Sequence, residues 1–221
     1  MAPSTRTIIV TAALASGVLA PSLAQSAEVA KVPPAAAPIA LAAPKDFATA
    51  VQVLETTTGA KGEKIRVGNV PLDEGRSFAV DPHVAERLLR GSHTAFRKAG
   101  LYLFRYERSF GMAGDKDQIG LLRTSDRDAV VRRVGTAGAK EQPTNDKVVA
   151  WLDALAKDEP FELMEIGVDY VAGRFHGTPK NAMSVAKRCA EFAPDLVAGR
   201  ASTLELLAHE IAANRTLYLI W

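Results

Sequence analysis

Ser184 and Lys187 are three residues apart in the segment SVAKRCAEFAPDLV, which also contains Cys189, the single cysteine among 221 residues. This spacing places two side chains on one face of a helix, where a lysine can accept the proton of an attacking serine hydroxyl. Acyl-enzymes of the bacterial envelope also use Ser-Asp-Asn and Lys-Thr-Gly elements, and the sequence contains neither. Because apolar and charged residues recur here at helical intervals, we interpret the segment as an amphipathic helix, with Cys189 as a small core side chain.

The four histidines and the glycine-rich segments do not form a metal or cofactor motif. His209 opens a pattern like that of zinc-protease helices, but the second histidine would have to stand at position 213, where Ala213 is found. The segment GTAGAK is too short for a phosphate-binding loop. The sequence therefore predicts no metal and no cofactor.

A hydrolase whose residues come together only in the folded chain is an alternative that the sequence leaves open. Asp169, Arg174, His176 and Asp195 are the candidates for such a site. Carboxylates in this region could act as acids in a cleft, but alternating carboxylates along a strand more often form its solvent-facing side. The alternative requires Asp169 and His176 to share a pocket.

Hydrophobic periodicity predicts the elements that must position these residues. Apolar residues at helical intervals predict helices over residues 44–59, 81–100, 124–135, 143–160, 178–195 and 201–215. Gly91 weakens the middle of the second helix, which leaves a break there open. Apolar runs with strand character cover residues 63–69, 101–111, 118–124, 161–175 and 216–221, and Gly167 predicts a bend in the fourth. Helix N-caps are predicted at Asp81, at Thr124 or Ser125, at Thr144 or Asn145, and at Ser202.

The order of these elements predicts the fold class. LYLFRYERSFG and QIGLLRT are joined by a short turn rich in glycine and aspartate, which is typical of a β-hairpin. Strands and helices otherwise alternate irregularly. We therefore expect an α+β fold, with a mixed, largely antiparallel sheet packed with helices, in a single domain over residues 45–221.

The first 44 residues have a different composition from the rest of the chain. Over residues 1–24, Arg6 precedes a short apolar run that ends in small residues, which is typical of a secretory signal peptide. Residues 25–44 are mostly alanine and proline with almost no charge, which predicts an extended linker. We therefore expect a periplasmic or secreted protein without stable membrane insertion after signal cleavage.

A string of motifs runs in order through the second half of the chain: LYLFRYERSFG, LLRTSDRDAVVRRVGTAGA, VVAWLDALAKDEPFELMEIGVDYVAGRF, AKRCAEFAPDLV and LYLIW. From about residue 101 to residue 221, this string resembles the bacterial domain-of-unknown-function family numbered 4253. The resemblance implies no activity. It marks as characteristic Phe110, Gly111, Thr124, Gly135, Gly138, Trp151, Pro160, Phe161, Gly167, Asp169, Phe175, Pro194, Asp195 and Trp221.

Two departures from the family pattern favour a binding role over catalysis. Ala193 stands where relatives often carry a cysteine, and Lys140 with Glu141 stands where they tend to have Asn-Tyr. If that polar set were catalytic in relatives, this chain would have lost much of it.

We expect the protein to be a non-catalytic binding protein whose partner is another protein. An immunity protein against a delivered toxin is one example, by analogy only. The formal net charge of +2, with acidic residues interleaved among the basic ones, excludes the charge pattern of a nucleic-acid-binding protein. A cell-envelope hydrolase with a site around Asp169 and His176 is the alternative.

Overall fold

The computed structural model describes residues 36–67, 70–109, 114–136, 143–199 and 203–221. Its helices are α1 (Phe47–Thr58), α2 (Pro82–Lys98), α3 (Arg127–Val134), α4 (Asn145–Asp158), α5 (Ala182–Phe192), α6 (Asp195–Gly199) and α7 (Leu204–Asn214). Its strands are β1 (Arg66–Val67), β2 (Val70–Pro71), β3 (Gly75–Val80), β4 (Tyr102–Glu107), β5 (Asp117–Leu122), β6 (Phe161–Ile166), β7 (Tyr170–Phe175) and β8 (Thr216–Ile220). The predicted signal peptide lies outside the described residues.

Six of the strands form one sheet in the order β3-β5-β4-β6-β7-β8. Neighbouring strands are antiparallel except for β4 and β6, which are parallel. The hairpin predicted from LYLFRYERSFG and QIGLLRT is the β4–β5 pair. The prediction of an α+β fold with a mixed, largely antiparallel sheet is confirmed.

The two faces of the sheet carry separate hydrophobic cores, because successive side chains of a strand point to opposite faces. Tyr102 and Phe104 of β4 lie in the larger core, which α3, α4, α5 and α7 cover. Leu101 and Leu103 lie in the smaller core, which α1 and α2 form with β3, β4 and β5. The strand β3 was not predicted from the sequence.

Helix ends follow the capping signals with two corrections. Asp81 caps α2 and Thr144 caps α4, as predicted. The cap of α3 is Asp126 rather than Thr124 or Ser125, and the Thr124 hydroxyl instead accepts a hydrogen bond from the Asp126 amide. The predicted cap Ser202 lies outside the described residues, and Thr203 caps α7 through the Leu206 amide.

Helix α2 is continuous through Gly91, so a break at this glycine is wrong. A β-carbon on Gly91 would lie 2.2 Å from the carbonyl oxygen of Ile39, which crosses the helix at this point. The neighbouring Ser92 hydroxyl donates to that carbonyl and accepts from the Leu41 amide. Glycine is therefore required here by the close approach of another backbone segment.

Residues 37–41 of the predicted linker are packed onto α2. Ile39 and Leu41 pack against the smaller core, and Arg87 donates to the carbonyl of Ala37 at 2.7 Å. This end of the predicted linker forms neither helix nor strand, and side chains of the domain hold it in place. Most of the predicted linker lies outside the described residues.

Candidate functional site

A cleft of about 520 Å³ lies beside α2, on the face of the sheet that carries the smaller core. Val171, Leu217 and Leu219 lie in the larger core, and Ala172, Arg174, Thr216 and Tyr218, which alternate with them, line the cleft. Its lining includes parts of α2, β6, β7 and β8 and the turn between α7 and β8. Five arginines contribute to this lining: Arg90, Arg105, Arg108, Arg174 and Arg215.

Two of these arginines are neutralised by carboxylates. Arg105 is 3% exposed and donates to Asp117 at 2.6 Å and to Glu86 at 2.7 Å. Arg108 donates to both carboxylate oxygens of Glu165, at 2.5 and 3.1 Å. Burial alone would lower the pKa of Arg108, but the hydrogen bond and charge of Glu165 outweigh this effect and raise it. This half of the cleft is a closed network of ion pairs.

The other three arginines, Arg90, Arg174 and Arg215, are called the arginine triad below. Within the described part of the chain, no carboxylate forms an ion pair with any member of the arginine triad. Burial lowers the pKa of Arg174, the positive charges of Arg215 and Arg90 lower it further, and the negative charge of Glu86 opposes this effect without reversing it. The buried Nε of Arg90 has no hydrogen-bond partner among the described residues.

Strand pairing brings the triad together from separate elements. Arg174 on β7 lies opposite Thr216 on β8, which places Arg215 beside it in the turn before β8. Arg90 comes from the middle of α2, above the sheet. Glu162 lies opposite Arg174 on the other side of β7, but its carboxylate accepts hydrogen bonds from Thr94. The result is an excess of positive charge at one end of the cleft.

The arrangement can bind anions. Guanidinium groups present several N–H donors in a planar fork that matches carboxylate and phosphate oxygens. The three arginines of the triad, which form no ion pair within the described residues, repel one another, and an anionic ligand would relieve this repulsion. The two carboxylates that line the cleft are held by Arg105 and Arg108, which favours binding over proton transfer at this site.

Asp169 and His176 do not come together. Asp169 directly precedes β7 and His176 directly follows it, so the strand separates them by about 20 Å. Both are exposed, and neither lines the cleft. The shared pocket that the hydrolase alternative requires is not provided by these positions.

Of the four candidates from the sequence, only Arg174 lines the cleft. Asp195 begins the short helix α6 and is exposed. Arg174 therefore lies with the other arginines of the cleft, and not with Asp169, His176 and Asp195 as the hydrolase alternative required.

The serine and lysine of the opening segment lie on the outer side of α5. Ser184 and Lys187 are both exposed, and the Ser184 amide donates to the N-cap Asn181. Cys189 is fully buried, and burial raises the pKa of its thiol to about 12. A thiol in this environment is a poor nucleophile.

The described residues include no group of three or more His, Cys, Asp or Glu side chains placed to hold a metal ion. In the same residues, every helix is too short or too polar to cross a membrane.

Residues 118–221 match the family described as Domain of unknown function (DUF4253). This part of the chain is similar to DUF4253 domains. The resemblance found in the sequence is thereby confirmed over the C-terminal half. Neither the curated proteins nor the solved structures gave a match to the chain.

The characteristic positions of the DUF4253 resemblance serve the fold where they are described. Phe161 and Phe175 pack in the larger core, and Trp151 and Trp221 both contact Phe192 in a half-buried aromatic group. No characteristic position within the described residues lines the cleft.

Gly167 has a packing role of the same kind. A β-carbon at this position would lie 2.1 Å from the Tyr170 ring, and the buried Thr136 hydroxyl donates to its carbonyl at 2.7 Å. The bend predicted at Gly167 is the β6–β7 turn.

The cleft extends beyond the region that matches DUF4253. Glu86, Arg90, Arg105 and Arg108 precede the matched region, whereas the lining residues of β6, β7 and β8 lie within it. Sequence reasoning missed this site because its arginines are scattered over four segments. Arg105 was the available signal, since an arginine within an otherwise apolar central strand needs a buried ionic partner.

Proposed function

We propose that the chain is an exported, non-catalytic binding protein that captures a partner protein through the arginine cleft. The observation that carries this proposal is the arginine triad, three cations that line one cleft and form no ion pair with any carboxylate of the described residues. A partner that supplies complementary negative charge to such a surface gains mainly specificity and a faster rate of association.

The state of the acidic groups supports binding rather than catalysis. A general base must be placed to reach a substrate proton, and its pKa has to suit that task. Glu165 is 6% exposed and engaged by two arginines, while Asp117 is fully buried and accepts from Arg105 and Ser109. These carboxylates therefore serve to hold arginine side chains in position.

A protein partner fits the charge distribution better than a nucleic acid does. Phosphate backbones bind to extended basic surfaces, whereas the chain as a whole is nearly neutral. Here the unneutralised charge is concentrated in a single cleft. Toxin neutralisation by an immunity protein is one function that would use such a surface, by analogy.

Site-specific photo-crosslinking in cells tests the capture of a partner. A photoreactive residue replaces Ala213, an exposed cleft residue near the end of α7, or Ala154, an exposed residue of α4 on the other side of the sheet. We expect a discrete cross-linked product from position 213 and none from position 154. The product should disappear when Arg174→Gln is added. Equal products from both positions, or none from either, would refute the proposal.

Export is tested separately, by N-terminal sequencing of the protein from the periplasmic fraction. The signal-peptide hypothesis predicts a mature chain that begins near Gln25. Recovery of the uncleaved chain from the cytoplasm alone would refute export. Partner capture by the cleft would still be tested by the cross-linking experiment.

A further inference from the structure

The chemistry of the arginine triad narrows the class of ligand. Arg90, Arg174 and Arg215 come from a helix, a strand and a turn, so three separate segments each supply one guanidinium group to the lining of the cleft. A ligand with separated negative groups can meet such cations one by one.

Other features of the cleft disfavour a phosphate group. Phosphate sites commonly use the backbone amides and the positive dipole of a helix N-terminus. The cleft residues of α2 lie beyond its first turn, and Ala213 and Asn214 lie at the C-terminal end of α7, so neither helix presents the free amides of its N-terminus to the cleft. The triad therefore provides distributed positive charge without an amide cradle.

The remaining lining suits a short carbon chain between the negative groups. Leu89, Met164 and Ala172 supply apolar surface, and Asn214 and Thr216 supply an amide and a hydroxyl. A cleft of about 520 Å³ lies within the usual size range of small-ligand sites, roughly 300 to 1,000 Å³.

We propose that the arginine triad binds a ligand with two or more separated carboxylate groups. This inference rests on the proposed binding function and specifies its chemistry. An acidic segment of a partner protein and a free polycarboxylate share this chemistry, and the experiment below separates the two sources.

Calorimetric titration of the full mature chain tests the assignment with four probes: citrate, an oligoglutamate peptide, acetate and inorganic phosphate, all at one ionic strength. We expect saturable binding of citrate or oligoglutamate, with acetate and phosphate each at least about tenfold weaker. If only oligoglutamate binds, the source is a protein segment. If only citrate binds, the source is a small molecule.

The variants Arg174→Gln and Arg215→Gln should each weaken carboxylate binding by about tenfold or more, because each removes a charge-assisted contact. Arg66→Gln is the matched control, since Arg66 is exposed and lies outside the cleft. Arg215→Lys keeps the charge but loses the planar fork and should weaken binding less than Arg215→Gln. Circular dichroism and thermal unfolding of each variant verify the fold.

Three results would overturn the assignment. They are tighter binding of phosphate than of either polycarboxylate, no saturable carboxylate binding, and equal binding by Arg174→Gln and Arg66→Gln. If the cross-linked product from position 213 persists despite such a result, capture of a partner stands and only the carboxylate assignment fails. Loss of that product while citrate still binds would instead refute capture of a partner protein.

Discussion

The amide of Phe175 donates to the carbonyl oxygen of Arg215 at 2.9 Å. This bond joins the end of β7 to the turn after α7, and it fixes Arg215 beside Arg174 at one end of the cleft. Arg215 has a φ of 54°, in the left-handed region that glycine or asparagine usually occupies at a helix C-terminus. An arginine in this conformation costs about 1 kcal/mol or more. The fold thus places the Arg215 cation in a backbone conformation that is unfavourable for arginine.

Arg215→Gly should raise the free energy of unfolding by about 1 kcal/mol, because glycine adopts the left-handed conformation without strain. Urea denaturation of the two proteins measures the difference. Arg132→Gly, in the last turn of α3, is the matched control and should lower stability by about 1 kcal/mol. A loss of stability in Arg215→Gly similar to that of the control would show that the arginine side chain stabilises the fold.

Arg105→Met should destabilise the protein by about 3 kcal/mol or more, because it leaves the fully buried Asp117 without its cation. Chemical denaturation measures the change. Arg132→Met removes an exposed partner of Asp146 and should change stability by less than about 1 kcal/mol. Equal effects of the two substitutions would contradict the structural role of the buried network.

Gly91→Ala should destabilise the protein by about 1 to 3 kcal/mol, although alanine is the better helix former. The methyl group would collide with the Ile39 carbonyl and displace residues 37–41 from α2. Hydrogen exchange should show loss of protection at the Ile39 amide, which donates to the Arg87 carbonyl. A stabilising Gly91→Ala would mean that residues 37–41 do not pack on the helix in solution.

Cys189 should make stability fall in alkaline solution. Its pKa rises from 9.0 in the unfolded chain to about 12 in the fold. Above about pH 9 the unfolded state therefore releases its thiol proton while the folded state retains it, and stability declines as pH rises toward 12. The stability difference between the native protein and Cys189→Ala, measured by denaturation at several pH values, should shrink over this window. A difference that is independent of pH would contradict the burial of this thiol.

Helices and strands were predicted correctly where the capping residues and the apolar pattern of a segment match the way that segment packs in the fold. Thr144 and the apolar face of α4 indicated that helix, and the apolar run of β4 indicated a central strand. The strand β3 was not predicted, because Gly75, Arg76 and Ser77 give its first half little strand character. Its position is set by pairing with β5, which is not visible in local sequence.

The cleft could not be predicted because it depends on contacts between distant segments. Periodicity does not show that Arg90 and Arg215 lie in one cleft, since more than a hundred residues separate them in the chain. The Gly91 signal was ambiguous for the same reason. A glycine within a helical pattern indicates a less stable helix unless the backbone segment that packs against the glycine is known.

An NMR titration of the arginine Nε–H signals with citrate measures carboxylate binding by the arginine triad at each residue. We expect saturable shifts for Arg90, Arg174 and Arg215, with little change at the exposed Arg66 and Arg132. Small, non-saturating shifts of similar size at all five arginines would show general ionic screening and would refute carboxylate binding by the triad.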